Sequence, residues 1–347
     1  MSDWIFGGLD AHWNAADLHG PDTLHQGPHY LLDDSGQIAV TSAAKGGAHG
    51  PPDPGGGGGG TGSPASTVVG SSTGLQIDLI WDASVRNAVN WSDIEHSVVS
   101  AAQIYTAAFD THAVLNIQVG FGEVNGSALG NGALGESETL GYGVSYAALT
   151  KALAAADASL VSNGSMAAGA VTAVSALAAK TFFVASAEAK ALGLVNPTST
   201  AVDGYIGLAA GAALSFTGVI GAAQYDAVGV AAHELSEVMG RLGMEGSGAG
   251  HYYTPLDLFR YTAVNQPDIT PTAGYFSTDM GATSLNTFNN PTNGGDAADW
   301  ATSPANALDA YDAFGNPGIT TQVTGTDLLV VASLGYHPVG PLATVTA

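Results

Sequence analysis

DAVGVAAHELSEVMGRL, residues 226–242, is the stretch on which the reading of this chain turns. At about 100° per residue, Val228, Ala231, Leu235, Val238, Met239 and Leu242 share one arc of a helix. Asp226, His233 and Glu237 line the opposite side, with Glu234 beside them. His233 and Glu237 are four apart and therefore sit one above the other, where both can hold a single ion. Glu234 then lies close enough to act on a water bound to that ion. The residues before the histidine, 228–232, are all apolar or small, which places the helix in the interior and argues against a solvated polar face.

The rest of the composition narrows the setting. Seven Lys and Arg stand against thirty Asp and Glu in 347 residues, a formal charge of -23. Such a chain is repelled by nucleic acid and by anionic lipid surfaces, so neither is expected as a partner. The acidity, the forty-eight glycines and the frequent Ala, Ser and Thr suit a secreted protein in a calcium-containing medium. There are no cysteines, which excludes disulfides, thiolate metal sites and cysteine nucleophiles together. The first ten residues, MSDWIFGGLD, show neither a basic segment nor an apolar one, so export is expected without a classical signal peptide in this chain. Residues 206–223 are nearly uncharged but rich in Gly, Ala and Ser and lack basic flanks, which reads as buried strand plus loop and excludes membrane insertion.

Two regions are expected. Residues 1–70 carry His12, His19, His25 and His29 among Asp, Gly and Pro, then the tract PPDPGGGGGGTGSP, and read as a poorly ordered or pro-segment-like region ending in a flexible linker. Residues 71–340 form one domain. In it, LQIDLIW (75–81) alternates as a strand, and Ser92 with Glu95 has capping-box spacing that opens a helix to about Phe109. Residues 114–119 are the next strand, completing a βαβ unit. The Gly-rich residues 120–140 read as loop, 145–156 and the Ala-rich 166–180 as helical, and 205–216 as a strand along which a substrate would lie. A short helix stops at Gly193, and a closing helix spans 327–334.

A hydrolytic metal site needs three protein ligands, an open position and a carboxylate base. His233 and Glu237 supply two ligands and Glu234 the base. Gly243 stands where a third ligand would follow the helix closely, so that ligand must come from further on. Asp257, a carboxylate inside the hydrophobic run 256–261, is the first choice, with His251 and Glu245 as rivals. Tyr252 is taken as the group stabilising an oxyanion, with Tyr253 and Tyr275 as alternatives. One imidazole with two carboxylates nearly cancels a dication's charge, which weakens its pull on a bound water and makes Mn²⁺, Fe²⁺ or Ca²⁺ more competitive with Zn²⁺. Asp296 and Asp299, in GGDAADW, with Asp309 and Asp312 following, are expected either to offer a calcium site or, equally, to stabilise turns. Arg241 and Arg260, two of the few basic residues, are expected in buried salt bridges that orient acidic ligands.

Over residues 74–336 the chain resembles a family of bacterial extracellular metalloproteases of the zincin type. The resemblance rests on LQIDLIWDASV (75–85), LNIQVGFGEV (115–124), HELSEVMGR (233–241), PLDLFRY (255–261), NNPTNGGDAADW (289–300) and DLLVVASLGY (327–336). It implies an α+β (mixed α/β) fold with a twisted mixed sheet on an active-site helix and an irregular C-terminal subdomain. It also implies Zn²⁺ on His233 and Glu237, Glu234 as base, and extracellular hydrolysis of a polypeptide substrate. The chain departs from the H-E-x-x-H pattern of zinc proteases in having Glu at 237. That departure leaves a second expectation, a secreted calcium-binding or surface-associated protein on a scaffold that has lost catalysis.

Overall fold

Alternation in residues 66–81 builds the first two strands of the principal sheet, β1 (Ser66–Gly70) and β2 (Leu75–Trp81), which pair antiparallel. Leu75, Ile77, Leu79 and Trp81 are all buried, as a period of two requires of a sheet covered on that face. Helix α1 (Trp91–Ala108) then crosses to β3 (Ala113–Phe121), which pairs in parallel with β2. The structure is a computed structural model that describes residues 37–38, 65–244, 252–270, 274–340 and 342. Most of the N-terminal histidines' region, and with it His12, His19, His25 and His29, lies outside the described residues, as do Glu245 and His251.

The chain continues through β4 (Gly135–Thr139), β5 (Gly141–Ser145), helix α2 (Tyr146–Ala156), β6 (Thr181–Ala185), the short helix α3 (Ser186–Ala191) and β7 (Gly204–Leu208). Helix α4 (Ala227–Val238) follows, and α5 (Gly325–Ser333) closes the domain. The principal sheet has the order β1-β2-β3-β7-β4. β7 runs parallel to β3 on one side and antiparallel to β4 on the other. A smaller sheet joins residues 37–38, β5 and β6, and a four-stranded sheet of short strands lies between residues 260 and 287. The result is an α+β fold.

Helix α4 packs against α1, β4 and β7, so it lies under the antiparallel edge of the principal sheet. Ala231, Leu235, Val238 and Met239 are completely buried there. Each large apolar side chain so buried stabilises the fold by roughly 1.5–3 kcal/mol. Asp226 caps the helix by accepting the Val228 N–H at 3.0 Å. The other end is a Schellman arrangement: Gly240, at φ +113°, follows the last turn, Arg241 N–H donates to Ser236 O at 3.0 Å and Gly240 N–H to Glu237 O at 2.9 Å. The helix therefore stops at Val238, before the Leu242 that periodicity suggests.

Several local expectations change. Ser92 caps nothing: α1 begins at Trp91, and Glu95 instead accepts the Thr67 hydroxyl at 2.7 Å, tying α1 to β1. Residues 166–180 form two short 3₁₀ turns, Ala170–Thr172 and Ser175–Leu177, where an Ala-rich helix is expected. Strand β4 runs through the segment that reads as loop. The segment that reads as a substrate strand contains β7, which is paired on both sides and has no free edge.

Asp157 and Glu188 are also buried carboxyl groups, and neither oxygen of Asp157 accepts a hydrogen bond among the described residues. Burial drives the Asp157 pKa up to about 8 and that of Glu188 well above the ordinary carboxyl range. The folded state therefore keeps a proton on Asp157 that the unfolded chain releases near pH 4. Stability falls as pH rises between those two values, by about 1.4 kcal/mol per pH unit. Asp157→Asn, neutral at every pH, is expected to raise the thermal midpoint at pH 8 by several degrees and to leave it nearly unchanged at pH 4. Thermal melts of both proteins at the two pH values check this.

Candidate metal centre

His233, Glu234 and Glu237 leave α4 on the side facing β4 and the C-terminal loops, and all three are buried. His233 Nε2 lies 3.6 Å from Glu237 Oε1 and 3.3 Å from Asp299 Oδ1. The three ligand atoms fall within 4.8 Å of one another, a grouping no other three His or acidic residues achieve among the described residues. The helical spacing of four accounts for the first pair. Asp299 arrives from a loop 62 residues after Glu237 in the chain, held by backbone bonds on either side. Asn289 N–H donates to Asp299 O at 2.7 Å, Trp300 N–H to Tyr311 O at 2.8 Å, and Ala313 N–H to Trp300 O at 3.1 Å. The buried Trp300 ring anchors the loop further through Nε1–H to Asp327 Oδ1 at 2.7 Å.

Groups around the triad hold each ligand in place. His233 Nδ1 is 2.7 Å from Ala310 O. A carbonyl can only accept, so Nδ1 carries the hydrogen and Nε2 faces the carboxylates, the arrangement that orients a ligating histidine. Glu237 Oε2 accepts the Ser137 hydroxyl at 2.7 Å, and Thr139 donates to Glu237 O at 3.3 Å, both from β4. Arg241 Nη1 lies 2.5 Å from Asp299 Oδ1 and its Nη2 3.4 Å from Glu237 Oε1. Tyr311 packs beneath, with the Arg241 guanidinium 4.3 Å from its ring centroid and the His233 ring edge-on at 6.2 Å. Tyr105 O–H donates to Ala232 O at 2.6 Å and meets the Tyr311 hydroxyl at 2.9 Å. Burial and the Arg241 charge pull the His233 pKa down, but Asp299 and Glu237 outweigh them and carry it to about 9.

Glu234 is completely buried beside the triad and outside it. A Cβ on Gly135 would lie 2.6 Å from Glu234 Oε1 and 2.7 Å from Val230 Cγ1. The absence of a side chain at 135 is what lets the Glu234 carboxylate lie against the backbone of β4. A narrow cleft at this end of α4 is lined by Leu134, Val230, Asp309, Ala310 and Phe314. Ala310, whose carbonyl holds His233, is one of its walls.

The acidic residue brought to His233 and Glu237 is Asp299, where Asp257 is expected. Asp257 is committed to a capping box, its Oδ2 accepting the Thr254 N–H at 2.7 Å and the Met244 N–H at 3.4 Å. It is the third residue of the 3₁₀ turn Pro255–Phe259, whose N-cap is Thr254, and is not brought to the triad. Tyr252 packs against the cluster of Phe183, Leu242 and Met244. Tyr253 and Tyr275 donate to Ile269 O and Gly281 O, so the tyrosines at the centre are Tyr105 and Tyr311 instead. The calcium expectation at Asp296 and Asp299 loses a carboxylate, because Asp299 turns into the triad. Asp296 meanwhile offers its backbone carbonyl to Asn289. Arg241 pairs with Glu237 and Asp299, and Arg260 is also in a buried salt bridge, with Asp268 at 3.9 Å, while donating to Ala297 O at 2.6 Å and lying over the Phe288 ring.

Compared with protein-family models, with curated proteins and with solved structures, the chain matches none of the three. No described helix is long and apolar enough to cross a membrane.

Proposed function

We propose that the chain is a metal-dependent hydrolase of zincin-like organisation, acting on peptide bonds outside the cell. His233, Glu237 and Asp299 would hold the ion and Glu234 would serve as base. The observation that carries this reading is the convergence of one imidazole and two carboxylates, with the far nitrogen of the imidazole already held by a carbonyl. The donor set fits Zn²⁺ and, through its two carboxylates, Mn²⁺ or Fe²⁺ as well. A dication bound there would acidify a water molecule and polarise a carbonyl oxygen.

The remaining work falls to side chains of the chain itself. Glu234 takes the proton from the attacking water and passes it to the leaving amine. Its position against Gly135 keeps its carboxylate at the edge of β4. Ser137 and the Ala310 carbonyl hold the ligands still, so that none must reorganise during reaction.

The depth of the triad supports a second reading. Every ligand side chain is at most 1 % exposed, which suits an ion that stabilises the fold of a secreted binding or surface-associated protein. Metal analysis of protein purified without chelators separates the readings. One equivalent of Zn²⁺, Mn²⁺ or Fe²⁺, lost in His233→Ala and accompanied by cleavage of an unfolded protein substrate, is the expected result. One equivalent of any ion without hydrolysis would favour the structural role, and no ion at all would overturn both.

A further inference from the structure

Arg241 is one of only seven basic residues in the chain and is completely buried. The turn at Gly240 sends it back along α4, so that it reaches the carboxylate one helical turn behind it. Its donors are distributed over the metal centre. Nε donates to Ser236 Oγ at 2.7 Å, Nη1 to Asp299 Oδ1 at 2.5 Å and to Ala298 O at 3.2 Å, and Nη2 to Glu237 Oε1 at 3.4 Å. Glu237 Oε1 and Asp299 Oδ1 are also the two oxygens that face His233 Nε2. The guanidinium therefore sits on the oxygens that an ion would use.

That position bears on the charge of the site. Two neutral histidines and one carboxylate leave a bound dication with one net positive charge, which is what draws electron density from a coordinated oxygen. With Glu237 in place of a histidine, two carboxylates cancel the dication outright. In a buried site the deficit is felt strongly, because water screens it little. A guanidinium stays protonated in proteins, and here it would share both carboxylates with a bound ion. The centre of His233, Glu237, Asp299, Arg241 and a dication has one net positive charge again.

We infer that Arg241 compensates electrostatically for Glu237: it supplies the positive charge that the second carboxylate removes, and so sets both the affinity for the ion and the ion's polarising power. Arg241 is thus a positioning residue, and the inference rests on the ion-binding reading of the triad.

A charge cycle in the full chain tests it, with Zn²⁺ affinity read by competition against a chromogenic chelator and folding followed by circular dichroism. Arg241→Met leaves the carboxylates uncompensated and is expected to bind Zn²⁺ about tenfold tighter than the wild type, while Glu237→His weakens binding by a similar factor. The double variant Glu237→His/Arg241→Met returns to within about threefold of the wild type and melts above Glu237→His in the presence of the ion. Arg241→Lys, which keeps the charge without the fork, holds wild-type affinity and carries the comparison should Arg241→Met not fold. A looser Arg241→Met, or an Arg241→Lys that behaves like it, would reduce Arg241 to a packing element and overturn the inference. Zn²⁺ uptake by Arg241→Met alone would sink the ion-binding reading of the wild type and leave the charge role standing. No uptake by any variant would sink both.

Discussion

Glu234→Gln is expected to keep the ion and the fold and to lose about a thousandfold of the hydrolysis rate, the contribution a positioned general base makes. The substitution preserves the shape that lies against Gly135. The amide cannot accept the proton of the attacking water. The triad's three ligands are untouched, because Glu234 is not one of them. Measured together, metal content, thermal midpoint and turnover of an unfolded protein substrate must separate: the first two near wild type, the third lost. Hydrolysis surviving in Glu234→Gln would remove the residue from the mechanism. An equal loss of ion and activity would make it part of the ion's support instead.

Asp299→Ala carries the largest expected effect on stability. It strips Arg241 of its shortest ion pair and His233 of its nearer carboxylate, leaving buried cationic groups short of charge. Breaking one partner out of a buried ion pair costs about 3–5 kcal/mol. In a domain of this size that corresponds to a fall in thermal midpoint of roughly 10 °C. The ion should go with it. Asp257→Ala is the control, since its carboxylate caps a 3₁₀ turn: it should cost about 1 kcal/mol, the worth of a lost cap, with metal content unchanged. Loss of the ion from Asp257→Ala and its retention in Asp299→Ala would reverse the assignment of the third ligand.

These two aspartates show where sequence reading reaches its limit. Asp257 looks like a ligand because a carboxylate within an apolar run needs a partner, and it has one in the backbone N–H groups of Thr254 and Met244. The signal, a Thr three residues before an Asp and followed by Pro, is legible as a turn cap once that competing use is weighed. Asp299 reads as one carboxylate in a Gly-rich loop, a setting equally suited to a turn or a calcium ion. What distinguishes it is the neighbouring Trp300, whose burial draws the loop into the core. Strand β4 was hidden for a related reason. GESET has no apolar residue to show alternation, because the residues facing α4 are Gly135, Ser137 and Thr139. They are chosen for close approach and for hydrogen bonds to Glu237, not for hydrophobicity.

The sequence by itself determined the elements whose stabilisation is local or periodic. The strands around residues 75–81 and 113–121, the buried helix from 227, and the pairing of His233 with Glu237 all follow from periods of two and 3.6 and from a helical spacing of four. Only the tertiary structure decided what meets that pair. Asp299, Arg241 and Tyr311 come to it by loop closure and by the competition of each polar group for a buried partner. Such contacts depend on the packing of the whole domain and leave no fixed spacing along the chain.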